Sequence, residues 1–370
     1  LFAGAGKKTS EPCAIKPLND QKTIMTFGIL GSGSWGTALA KILTDGGQSV
    51  HWWNRSADAI RQFQKRGHNP QYLSSARFDL RQLMLTTDAS EVIRQADVVV
   101  IAVPSAYAVD VLSALPRDCF AGKKILSAIK GILPEQNLLL NDYLQKEFQV
   151  ELSDYFAVLG PCHAEEVASE KLSYLTFTGT DQVHTAAIAR YFELPYIRTI
   201  LNQDIYGVQY AAVLKNIYAV GAGMAHGLEY GDNFQSVFIA NAADEMAGFL
   251  RKAGIIDAEV GYIDHMHPHT NQEPRHNYAA SVYLGDLLVT CYSLFSRNRT
   301  FGNMVGKGYS VKAAQLEMNM VAEGFNASKC MYIINRQVGA QMPIAEGIYK
   351  VLWEGLQAGE AFREIESCLV

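Results

Sequence analysis

Six consecutive residues, Gly31-Ser32-Gly33-Ser34-Trp35-Gly36, carry the first chemical signal, set between the β-rich run TFGIL and the helical run TALAKIL. In G-x-G-x-x-G, Gly31 permits a tight turn, Gly33 leaves room for a pyrophosphate against the backbone, and Gly36 lets helix pack on strand. The helix N-terminus beyond them attracts the anion. The bland reading is a glycine-rich turn without a ligand. The strand before it and the helix after it point instead to a dinucleotide.

The second run, SVHWW, leads into Asn54-Arg55-Ser56, where an enzyme confined to NAD would offer a carboxylate to the ribose diol. The Arg55 guanidinium fork suits a 2′-phosphate, so NAD and NADP both stay open, as does a solvated arginine. A second signal is Lys215, the only charged residue in the apolar stretch Tyr206–Ala225. A buried ammonium is costly unless used or paired, and desolvation lowers its pKa toward neutrality, where it can trade protons. Snorkelling of its head to water is the alternative. A lysine and Asn216 in mid-stretch also argue against a membrane span, so the segment reads as a buried helix.

The elements that position these residues follow from the pattern. Short β-rich runs (TFGILG, SVHWW, ADVVVIAVP, KKILSAI, YFAVLG, LSYLTFTG) alternate with helical stretches to about residue 200, which predicts a parallel sheet. Long periodic segments at 206–225, 234–253, 278–295, 311–336 and 343–357 predict helices. The expected fold is therefore an α/β Rossmann-type dinucleotide-binding domain over 25–204, then an all-α C-terminal domain over 205–370. Residues 1–24 read as an extension outside both.

A chain of 370 residues is long enough for two domains, and 49% apolar with 19% charged residues excludes disorder as its main state. A net charge of −5 makes nucleic acid an improbable main partner. Six dispersed cysteines without a C-x-x-C pair fit a reducing cytosol.

Nine strings in order resemble the NAD(P)-dependent glycerol-3-phosphate dehydrogenase family in its bacterial form: GSGSWGTALA (31–40), VPS (103–105), SAIKG (127–131), GPCHAEEVA (160–168), VLKNIYAVGAG (213–223), GLEYGDN (227–233), GDLLVTCYSLFSRNRTFG (285–302), VAEG (321–324) and MPIAEGIY (342–349). The resemblance implies Lys215 as general acid/base, Asp286 as the carboxylate beside it, and Lys130 between cofactor and substrate. It implies Ser296, Arg297 and Asn298 on the substrate phosphate, and Asn216, Thr290, Gly160 and Cys162 around the substrate. Cofactor contacts are implied for Gly31, Gly33, Ser34, Trp35, Gly36, Asn54, Arg55, Pro104, Lys130, Ala164, Arg297, Val321 and Glu323.

The resemblance further implies a small phosphorylated triose as substrate, a cytoplasmic homodimer, and a supply of glycerol 3-phosphate for phospholipid synthesis. Three places depart from the family: Cys162-His163, Ala240-Asn241, and a long histidine-rich segment before GDLLVT. In that segment His265, His267, His269 and His276 with Asp264 read as solvated rather than metal-binding, so no metal is expected. Cys162 reads as lining a pocket, because neighbours in sequence rarely face each other. Two rival functions remain: a 3-hydroxyacid or ketopantoate type reductase, which needs no phosphate clamp, and a non-catalytic dinucleotide-binding redox sensor, which needs only the glycine loop.

Overall fold

The computed structural model describes residues 25–255, 281–318 and 322–370; the histidine-rich segment and Val321 lie outside them. Eight strands form one sheet: β1 (Phe27–Leu30), β2 (Val50–Trp53), β3 (Leu83–Thr86), β4 (Val98–Ile101), β5 (Lys124–Ser127), β6 (Tyr155–Leu159), β7 (Ser173–Gly179) and β8 (Ile197–Asn202). Their order is β3-β2-β1-β4-β5-β6-β7-β8. The first six run parallel, as the alternation predicts, with Phe27 level with Val50 on one side and Val98 on the other. The last two depart from it. β7 is antiparallel to β6, and β8 follows β7.

The reversal has a local cause. A parallel crossover must carry the chain back along the full strand, usually on a helix. Between Leu159 and Ser173 the only helix is the five-residue Ala164–Ala168, so β7 starts from the end at which β6 finishes. The 160–168 loop is thereby held at the carboxyl end of the parallel strands, where open α/β sheets bind ligands.

Strand alternation sorts the core into two faces. Val98, Val100, Phe156 and Val158 belong to one cluster with Trp52 and Phe63, whereas Val99, Ile101, Ala157 and Leu159 belong to the other. The second cluster continues without a break into the helical half, through Val208, Ala212 and Leu214 to Phe301, Met331 and Ile348. The aromatic pairs are core residues: Trp52 meets Phe63 edge-on at 5.4 Å, and Phe192 meets Phe27 at 5.8 Å.

The axis of the helical half is Ile205–Gly227, with Asp204 accepting from the Gly207 N–H at its start. The apolar stretch around Lys215 is thus a buried soluble helix, and no described helix is long and apolar enough to cross a membrane. A helix at Arg297–Gly306, which the periodic segments did not include, lies hard against it. A Cβ on Gly302 would fall 1.9 Å from the Val220 carbonyl oxygen, and one on Gly223 would fall 2.1 Å from that of Arg299. Any side chain at either place would push the helices apart. That close approach draws the start of the second helix toward Lys215 and Asn216.

Candidate active site

The glycine loop has the shape its spacing requires. Gly31 takes φ +120°, and a Cβ there would lie 2.5 Å from the Ala102 carbonyl oxygen. A Cβ on Gly36 would lie 2.4 Å from the Gly31 oxygen, whereas a Cβ on Gly33 would meet nothing within 4 Å. Strand and helix therefore close around two glycines, and the third faces open space. The helix that follows, Ser34–Asp45, has no side-chain cap, and its N-terminus is the end that attracts an anion. Asn69, which carried no sequence signal, steadies this loop: its Nδ2 donates to Ser32 O at 2.9 Å and to Thr37 Oγ1 at 2.8 Å.

One groove runs from this loop to Arg55 and is also lined by Tyr72, Pro104, Tyr107 and Gln315. It meets a second cleft at Gly33, Ser34, Pro104 and Arg297. Asn54 stands behind Arg55 with its Oδ1 accepting from Ser56 N at 3.0 Å. These features fit a dinucleotide: a space where a pyrophosphate can rest on backbone, a helix N-terminus beside it, and a guanidinium at the far end.

The second cleft collects most of the chemistry-bearing residues. Lys130, Cys162, His163, Ala164, Lys215, Asn216, Asp286, Thr290, Ser296, Arg297, Asn298 and Glu323 line it together with Trp35. Lys215 and Asp286, 3% and 1% exposed, form an ion pair through Lys215 Nζ and Asp286 Oδ1. Asp286 opens the first turn of helix Asp286–Tyr292, and Thr290 one turn later donates to its carbonyl at 2.5 Å. The second carboxylate oxygen, Oδ2, is buried without a protein partner.

The two lysines are pushed in opposite directions. Burial, with the Lys130 charge added, outweighs the attraction of Asp286 and brings Lys215 down to about 8. Burial also works against the Lys130 ammonium, but the Cys162 sulfur and Asp286 carboxylate outweigh it and leave its pKa raised. A lysine poised near neutral pH can trade a proton, whereas one held above its ordinary value keeps its charge. Lys130 Nζ sits 5.0 Å above the Trp35 ring, 3.4 Å from Gly160 O and 3.7 Å from Cys162 Sγ. Burial pushes the Cys162 thiol up while the Lys130 charge pulls it back, and the sulfur stands as a wall of the cleft.

A chain of amides fixes the cleft floor. Asn216 Nδ2 donates to Lys130 O at 2.7 Å, Asn298 Nδ2 donates to Asn216 Oδ1 at 2.9 Å, and Gly324 N donates to Asn298 Oδ1 at 2.9 Å. Asn216 and Asn298 both line the cleft, and each of their side-chain nitrogens carries a second N–H. Ser296 caps the Arg297–Gly306 helix by accepting from Arg299 N, so Arg297 and Asn298 stand at a helix N-terminus. A guanidinium beside such an end is a site for a phosphate.

Two residues do something the sequence did not show. Glu323, expected near the cofactor, gives both carboxylate oxygens to Ser105, one to its N–H at 3.0 Å and one to its hydroxyl. It thereby ties the helical half to the start of helix Ser105–Ser113. His163, marked in the sequence with Cys162 as a departure from the family, lines the cleft. Asn241, at another point of departure from the family, pairs with both backbone groups of Val370.

Comparison with known proteins agrees with this geometry. The family described as NAD-dependent glycerol-3-phosphate dehydrogenase matches through its N-terminal part over residues 26–185 and its C-terminal part over 204–363. The chain is 32% identical over 344 residues to the glycerol-3-phosphate dehydrogenase [NAD(P)+] of Streptococcus suis, covering 93% of this chain and 96% of that one. It is 34% identical to the Bacillus subtilis protein of the same name, over 91% and 92% of the two. The solved glycerol-3-phosphate dehydrogenase of Coxiella burnetii superposes with TM-score 0.81 at 25% identity, over 92% of this chain and 98% of that one. With a glycine loop, a buried lysine and a phosphate-ready helix end in one cleft, the chain belongs to the NAD-dependent glycerol-3-phosphate dehydrogenase family.

Proposed function

We propose that the chain interconverts dihydroxyacetone phosphate and sn-glycerol 3-phosphate with NAD(P). The observation that carries this reading is the Lys215–Asp286 pair, set in one cleft with Lys130 and the helix end bearing Arg297. A bound dinucleotide supplies or accepts the hydride at the C2 carbon. Gly31, Gly33, Ser34, Trp35 and Gly36 would hold it, with Arg55 at its adenosine end, Pro104 where groove and cleft meet, and Ala164 and Glu323 in the cleft.

The protein's own residues then have separate tasks. In reduction, Lys215 gives its proton to the C2 oxygen as that oxygen gains charge, and in oxidation it takes the proton back. Lys130, which keeps its charge, stabilises the developing alkoxide. Asp286 orients Lys215 and restrains the fall of its pKa. Arg297, with Ser296 and Asn298, holds the phosphate, and that remote binding fixes the reacting carbon in place. Asn216, Thr290 and Cys162 complete the substrate wall, and the Gly160 carbonyl accepts from Lys130 and Cys162 behind it.

The phosphate site separates this reading from a reductase of carboxylate substrates, and the paired lysine separates it from a sensor. The reading carries with it a cytoplasmic homodimer that supplies glycerol 3-phosphate for phospholipid synthesis. Its test is oxidation of NADH and NADPH by the wild-type chain, followed by absorbance. Dihydroxyacetone phosphate should give saturable turnover, with NADPH accepted because Arg55 lines the groove. Turnover of ketopantoate with none of dihydroxyacetone phosphate would overturn it.

A further inference from the structure

Three residues of the catalytic cleft each keep a buried polar atom without a protein partner: Trp35 Nε1, His163 Nε2 and Asp286 Oδ2. Buried polar atoms of this kind are rare, and in a cleft they mark where a ligand completes the hydrogen bonding. Asp286 already belongs to the proton-transfer pair. Trp35 opens the glycine-loop helix beneath Lys130, on the dinucleotide side. His163 belongs to neither group.

On the substrate proposed above, two of three polar groups are accounted for. The phosphate has the Arg297 helix end, and the C2 oxygen has Lys215 with Lys130. The remaining group is the hydroxyl on C1. We infer that His163 Nε2 binds this terminal hydroxyl and makes the chain selective for trioses that carry it. The assignment rests on the triose-phosphate reading of the site.

The surroundings of the ring suit that task. His163 precedes helix Ala164–Ala168, next to Cys162, on the loop held at the carboxyl end of the sheet. Its ring centroid lies 6.3 Å from that of Phe295, which packs it from the side. Burial, and then the charges of Lys130 and Lys215, bring its pKa to about 4, so the ring is neutral at physiological pH. A neutral imidazole offers one donor and one acceptor; the Val289 backbone takes the donor, which leaves Nε2 to accept from the hydroxyl. A further cation here would have added to the repulsion among Lys130, Lys215 and Arg297. A purely apolar side chain would leave the hydroxyl desolvated and unpaired.

The test compares dihydroxyacetone phosphate with hydroxyacetone phosphate, which has a methyl group in place of the C1 hydroxymethyl. Both are reduced by wild type, His163→Phe and His163→Gln with NADH. His163→Phe should lower kcat/KM for dihydroxyacetone phosphate about tenfold and leave that for the analogue within about twofold. His163→Gln, which keeps a donor and an acceptor, should recover most of the preference, and KM for NADH should not move. An equal loss on both substrates would assign the residue to structure, and a raised KM for NADH with the preference intact would assign it to the nicotinamide. Either result overturns the inference alone, whereas absence of wild-type turnover of both trioses overturns the triose-phosphate reading and this inference with it.

Discussion

Replacing Lys215 with alanine is expected to lower kcat for dihydroxyacetone phosphate by roughly 10²- to 10⁴-fold, with NADH still bound. The size follows from losing the proton donor at the step where the C2 oxygen gains charge. Lys130 cannot take over, because its neighbours raise its pKa and hold its proton. Most of the proposed dinucleotide contacts lie on the glycine loop and along the Arg55 groove, which Lys215 does not line. The substitution also leaves Asp286 buried without its counterion, which costs stability. Thermal unfolding and NADH fluorescence on the same sample separate the two effects. A variant that binds NADH and still turns over at more than a tenth of the wild-type rate would remove Lys215 from the chemistry.

Arg297→Ala is expected to lower kcat/KM for dihydroxyacetone phosphate roughly 100-fold, the scale of a lost charge-assisted contact. Unphosphorylated dihydroxyacetone should be reduced at an unchanged, low rate, so the preference for the phosphorylated substrate falls by the same factor. Arg297→Lys should restore only part of it, because an ammonium does not reproduce the two parallel N–H groups of a guanidinium. Equal losses on both substrates would mean that Arg297 serves the cofactor or the helix rather than the phosphate.

The sequence made some of this site legible and concealed the rest for physical reasons. Lys215 stood out because a lone charge in an apolar helix needs an explanation, and the glycine loop because its neighbours satisfied the strand and helix context. Its partner Asp286, 71 residues later, came only through the family resemblance, since no local pattern shows which carboxylate a buried lysine will meet. The Arg297–Gly306 helix was missed because RNRTFGNMVG has no continuous apolar stripe. Its packing relies on Gly302, a residue that otherwise argues against a helix. β3 was missed because it is short and half-exposed at a sheet edge, with only Leu83 fully buried. The Glu323–Ser105 contact spans 218 positions and leaves no trace in composition or spacing.

The central claim is that a buried, paired lysine moves the proton, and the pH dependence of kcat/KM for reduction tests it most directly. Reduction needs the ammonium form of Lys215, so the rate should fall as pH rises through about 8. The oxidative direction needs the amine and should rise over the same range. Below this limb lies the ionisation of the substrate phosphate, near pH 6. In Asp286→Asn the carboxylate that holds the proton on Lys215 is gone, so the reductive limb should move to lower pH. A reductive profile that stays flat from pH 7 to 10 in the wild type, or a limb that Asp286→Asn leaves in place, would contradict the account.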